Sequence, residues 1–108
     1  MFNLNYVLMK LQVQSIHFDA DVKLINFIQR KIDKLETFYD RLVDGEVFLR
    51  LNNEGIENKT VEIKLNVPGT QLFAVEKAKS FEAAADLATE ALRNQLKKFK
   101  TRVKQGRT

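Results

Sequence analysis

Among its 108 residues the chain has no cysteine, one histidine and one proline. The missing thiols exclude disulfides, thiolate zinc sites and a cysteine nucleophile, and they fit a reducing compartment. His17 is read as a surface or capping residue at a strand end, not as a base. The four glycines lie apart, so no phosphate-cradling loop is spelled out, and no histidine or carboxylate spacing suits a metal. No carboxylates form a paired, desolvated set. Catalytic residues, a bound metal and a cofactor are therefore not expected, and the protein is read as no enzyme. No apolar run nears the roughly 20 residues of a membrane span. The N-terminus lacks the positive start of a signal peptide. A cytoplasmic protein with no membrane partner is expected.

Negative charge is also missing, but only locally. No carboxylate side chain follows Glu90, while Arg93 to Arg107 holds seven cations: Arg93, Lys97, Lys98, Lys100, Arg102, Lys104 and Arg107. The remaining 11 cations face 14 carboxylates, so Met1 to Leu92 is net −3 and the overall +4 is a local +7 on a mildly acidic body. Such asymmetry points to a polyanionic partner. At about 100° per residue, Phe81, Ala85, Ala88, Leu92, Leu96, Phe99 and Val103 form one apolar stripe, and Arg93, Lys97, Lys100 and Lys104 a second stripe about 100° round from it. Ser80 is the predicted N-cap of this amphipathic helix. Helix-dipole complementarity accounts for two or three cations near its C-terminal end, not for seven.

Earlier segments alternate between strand and helix periods. Met1–Leu8 has no clear period and is set apart as an N-terminal arm of unknown role; residues 9–105 form a single domain. Lys10 to Ile16 reads as a half-buried strand. Asp19 is the expected N-cap of a helix running to about Arg41, with the apolar stripe Leu24, Phe27, Ile28, Ile32, Leu35, Phe38, Tyr39 and Leu42. Its charges are sorted by sign: Lys23, Arg30, Lys34 and Arg41 fall within about 40° of one another, away from Asp33, Glu36 and Asp40. Lys31 projects nearer the apolar stripe and is expected to extend out at its edge. Asp44-Gly45 reads as a turn, Glu46 to Leu51 as a strand, and Asn53-Glu54-Gly55 as a turn within a loop of up to Asn52 to Asn58. Thr60 to Val67 is the clearest strand, Pro68-Gly69 a turn, and Gln71 to Ala78 a strand whose facing is ambiguous between Leu72 with Ala74 and Phe73 with Val75.

The order β-α-β-β-β-α implies an α+β fold: a four-stranded sheet with two helices packed on one face, the other face polar and solvated. If the helices lie side by side, their basic rows merge into a ridge. The RNA-binding candidates are thus Lys23, Arg30, Lys31, Lys34 and Arg41 on the first helix. On the last helix they are Arg93, Lys97, Lys98, Lys100, Arg102 and Lys104. No helix-turn-helix or zinc finger suggests sequence-specific duplex DNA. The fold of the RNA-recognition sheet needs a strand after its second helix, and Phe48 and Phe73 are read as core or edge packing, not as stacking platforms. The element order instead resembles the double-stranded-RNA-binding domain, which reads structured RNA by backbone and shape. Two alternatives remain: a free-standing structured-RNA or RNA-chaperone module, and a protein-interaction domain docking an acidic partner.

Met9 to Gln105 resembles the ribosome hibernation-promoting factor family, also called protein Y or sigma-54 modulation protein. Lys31 to Arg41, KIDKLETFYDR, is similar to the family's Lys-x-x-Lys-Leu-Glu followed by aromatics. In the closing helix Ala84, Asp86, Leu92, Gln95, Leu96, Lys98 and Lys100 match its Ala-x-Asp, its Leu-x-x-Gln-Leu and its spaced lysines. Ala91 stands where a lysine is common, and Lys79-Ser80-Phe81 replaces the usual Asp-x-Tyr. The resemblance implies a short form of the family, free as a monomer. It implies binding to the small ribosomal subunit and 16S ribosomal RNA in the channel shared by mRNA and tRNA, within the 70S ribosome. Translation would be silenced in idle cells, and ribosome dimers would be compatible where another factor assists. Lys31, Lys34, Lys98 and Lys100 carry over as matched basic residues; the other candidates come from charge patterning alone.

Overall fold

Strict alternation in the central strands builds the sheet. The computed structural model describes residues 5–8, 11–52 and 55–105, with 5–8 and 103–105 as backbone alone. Its elements are β1 (Asn5–Leu8), β2 (Leu11–Ile16), α1 (Val22–Phe38), β3 (Asp44–Leu51), β4 (Lys59–Val67), β5 (Thr70–Ala78) and α2 (Phe81–Gln105). From β2 onward this is the expected β-α-β-β-β-α order. One strand is added. Asn5–Leu8, set apart above as an arm, pairs antiparallel with β2, so the sheet has five strands in the order β1-β2-β3-β4-β5. Pairing supplies what the irregular sequence there does not signal. Met1–Leu4, Met9, Lys10 and Arg107 lie outside the described residues.

β2 and β3 run parallel, as a helical crossover requires, and the other neighbours are antiparallel. The register puts Val13, Val47, Ile63 and Ala74 in one row across the sheet, all buried. Both helices cover this face. Leu24, Ile25, Ile28, Ile32 and Leu35 of α1 and Phe81, Ala84, Ala85, Ala88, Leu92 and Leu96 of α2 join the same core. The three alanines let α2 approach β4 and β5 closely, since a methyl needs little room. The register also resolves β5: Val67 pairs with Thr70 around Pro68-Gly69, which sets Leu72 opposite Leu65 and turns Phe73 and Val75 to solvent.

Several boundaries differ from the sequence reading. Asp21, not Asp19, caps α1: its Oδ1 accepts from the Lys23 N–H at 2.8 Å and its carbonyl from the Ile25 N–H at 3.1 Å. α1 stops at Phe38, because Tyr39 turns into extended backbone and buries its ring edge-on against Phe99. Gly45 belongs to β3, not to a turn; a Cβ there would meet Leu65 Cδ2 at 2.7 Å, so glycine lets β4 close in. Between β3 and β4 the Asn52 N–H donates to the Asn58 carbonyl at 2.8 Å; Asn53 and Glu54 of the expected turn lie outside the described residues. Ser80 caps α2 as expected, its Oγ accepting from the Ala83 N–H at 3.0 Å.

Candidate nucleic-acid interface

Two amphipathic helices on one sheet face must meet along a flank. Lys31 of α1 meets Asp86 of α2, Phe38 meets Arg93 and Lys100, and Tyr39 meets Phe99, so the helices lie side by side and run in the same direction. Seven residues are two helical turns, which brings a side chain back to nearly the same flank. Asp86, Arg93 and Lys100 are spaced by seven, as are Lys31 and Phe38. The groove between them is lined by Lys31, Lys34, Leu35, Asp86, Thr89, Glu90 and Arg93.

Its two ends differ. At the N-terminal end Lys31 Nζ lies 2.6 Å from Asp86 Oδ1 and 5.3 Å from the Phe27 ring centre. That lysine, expected to extend out at the edge of the apolar stripe, ends on a carboxylate. At the C-terminal end the Phe38 ring carries two cations, the Arg93 guanidinium 4.6 Å and the Lys100 ammonium 4.3 Å from its centre. Lys100 Nζ also donates to the Phe38 carbonyl at 3.1 Å, so it caps the negative end of α1. A ring face attracts a cation without neutralising it. One of the three ammonium donors is used, and the other two can meet an anion.

Lys23, Arg30 and Lys34 are exposed on α1, on the flank next to this groove. Arg41 is exposed too, but it lies beyond the end of α1, so the helical row of four becomes three. Lys97, Lys98 and Arg102 are exposed and share an open concavity with Thr101. Lys98 and Arg102 stand roughly 140° or more round from Lys100 and Arg93, toward the β5 side, and so lie off the shared groove. The Lys104 side chain lies outside the described residues. Sequence reading missed three participants: Phe38, placed only in the apolar stripe, Asp86, matched only to the family's Ala-x-Asp, and Glu90, noted only as the last carboxylate of the chain. The seven-residue spacing was the available signal.

On the opposite face of the sheet, Phe48 is half-buried with Arg50 and Lys64 over its ring at 5.4 and 5.5 Å, and Arg50 is paired to Glu62 at 2.6 Å. Neither Phe48 nor Phe73 enters the core.

With this geometry in view, the sequence model of the family described as sigma 54 modulation protein / S30EA ribosomal protein matches residues 11–104. The chain belongs to this family. It is 36% identical over 95 residues to a ribosome hibernation promotion factor of Deinococcus radiodurans, covering 84% of this chain and 49% of that protein. A ribosome hibernation promotion factor of Bacillus subtilis is 28% identical over 95 residues, covering 88% and 50%. The chain thus spans about half the length of these two relatives. A ribosome hibernation promoting factor of Klebsiella oxytoca is 28% identical over 97 residues, covering 90% and 99%. The fold of a ribosomal subunit interface protein from Coxiella burnetii matches with a TM-score of 0.76 at 19% identity, over 86% of this chain and 99% of that one. The N-terminal domain of Thermus thermophilus Protein Y matches with 0.70 at 24% identity, over 84% and 96%. The family's α+β fold is therefore the fold of this chain.

Proposed function

We propose that this protein is a ribosome hibernation factor that binds the small ribosomal subunit at the mRNA/tRNA channel and silences translation in idle cells, without catalysing a reaction. The basic helix flanks lie along the backbone of 16S ribosomal RNA and occupy space that mRNA and tRNA need. The observation that carries the reading is the convergence of cations from both helices on one groove end: Lys34 lining it from α1, and Arg93 and Lys100 gathered on Phe38 from α2. Family membership and the relatives named for hibernation support the same reading. A helical layer with cations on a flank suits backbone and shape recognition of structured RNA. The free protein acts as a cytoplasmic monomer; among the described residues no helix is long and apolar enough to cross a membrane.

Sucrose-gradient sedimentation of stationary-phase lysate tests this. Co-migration with small subunits or 70S ribosomes is expected, and protein found only at the top of the gradient refutes it. A protein-docking domain would show a weaker salt response: neutralising about 6–10 phosphates weakens RNA binding by roughly 10³–10⁵ between about 50 and 200 mM salt.

A further inference from the structure

Among the described residues β5 ends the sheet, with β4 as its one neighbour. In an antiparallel strand the N–H and C=O of one residue point the same way, and alternate residues point away from the partner. Phe73 is such a residue, yet both its main-chain groups are satisfied. Its N–H donates to Gln95 Oε1 at 3.3 Å, and its carbonyl accepts from Gln95 Nε2 at 2.8 Å. A carboxamide offers one acceptor oxygen and N–H donors, the same complement as a peptide group. Gln95 therefore gives β5 what a sixth strand would give it at this residue.

An open edge strand is a template for pairing with another chain. β5 would be a strong one, since it is nine residues long and exposes Phe73 (46%) and Val75 (43%) on its solvent face. Gln95 also stands on the opposite side of the α2 core stripe from the groove, roughly 140–160° round the helix from Lys100 and Arg93. Tethers on both flanks of a buried stripe set the roll of a helix about its axis.

We propose that Gln95 is an edge lock: its carboxamide keeps β5 from pairing with β5 of a second copy of this chain, and it holds the roll of α2 that turns Arg93 and Lys100 onto Phe38. This assignment does not depend on the ribosomal reading.

The test uses the full chain and the variant Gln95→Met, which keeps side-chain length and helix propensity but makes neither bond. Amide exchange at Phe73 is expected to speed up by roughly two- to tenfold, the worth of one hydrogen bond. Leu72 and Ala74, whose amides face β4, keep their rates. Sedimentation at rising concentration is expected to show a dimer that the unsubstituted chain does not form. The Lys100 side-chain protons lose part of their ring-current shift from Phe38. Unchanged Phe73 exchange, or a variant that stays monomeric throughout, overturns the lock; an unchanged Lys100 shift overturns the roll. Should Gln95→Met fail to fold, the unsubstituted protein still decides: the Gln95 carboxamide protons must exchange more slowly than those of exposed Asn94 on the same helix, and equal rates refute the proposal.

Discussion

The two ends of the interhelical groove are built from the same spacing and opposite chemistry. Two turns before Phe38, α1 places Lys31; two turns before Arg93, α2 places Asp86. At the first end a cation meets a carboxylate at 2.6 Å, and the pair presents little net charge. At the second, two cations meet an aromatic ring and a helix-terminal carbonyl, neither of which cancels their charge. Side-by-side cations repel, and each interaction at the ring offsets part of that cost. A groove between two like-charged flanks can thus be closed with anions where it is only structural. It must be closed with neutral partners where the charge is for use.

If that contrast is functional, disabling the C-terminal end has the largest effect. Replacing Lys34, Arg93 and Lys100 together by Glu is expected to lower affinity for small subunits by at least roughly a hundredfold and to reduce the salt slope by about three. The pair Lys98→Gln and Arg102→Gln, off the groove, is the control and has the smaller effect. Filter binding over a salt series reads both, and equal losses would mean that α2 binds by overall charge and not through this groove. Next comes the support beneath both ends. Leu96 is fully buried in the stripe between the tethered flanks. Leu96→Ala is expected to cost about 2–5 kcal/mol in denaturant unfolding. A loss under about 1 kcal/mol would show that α2 is not held through this stripe.

How much of this contrast was legible beforehand follows from where each signal resides. Val61, Ile63, Leu65 and Val67 alternate, and Leu92, Leu96 and Phe99 recur at helical spacing, so the layers could be read from local pattern. Other features depend on contacts between distant segments. Tyr39 fits the helical stripe of α1 but leaves it to pack against Phe99, which removes Arg41 from the row. Leu72 and Phe73 are equally apolar, and only the two-residue turn at Pro68-Gly69 decides which faces Leu65. Asn5–Leu8 becomes a strand through pairing with β2, not through any period of its own. Basic flanks could be counted from sequence; the partner each cation meets could not. Lys31 and Lys34 look alike in KIDKLE, yet one is held by Asp86 and the other is exposed.

The smallest expected effect bears most directly on the difference between the ends. Asp86→Asn keeps the shape of the side chain and removes the charge that holds Lys31. Both partners are partly exposed, 30% for Lys31 and 52% for Asp86, so the pair contributes at most about 1 kcal/mol and the fold should survive its loss. With the carboxylate gone, Lys31 becomes one more cation available to a phosphate. Affinity for small subunits is expected to rise by several-fold, and the salt slope to steepen by about one. A drop in affinity would reverse the interpretation, because it would mean that Asp86 aims Lys31 at RNA and that both ends of the groove bind. An unchanged slope would leave Lys31 outside the interface and confine binding to the cations around Phe38.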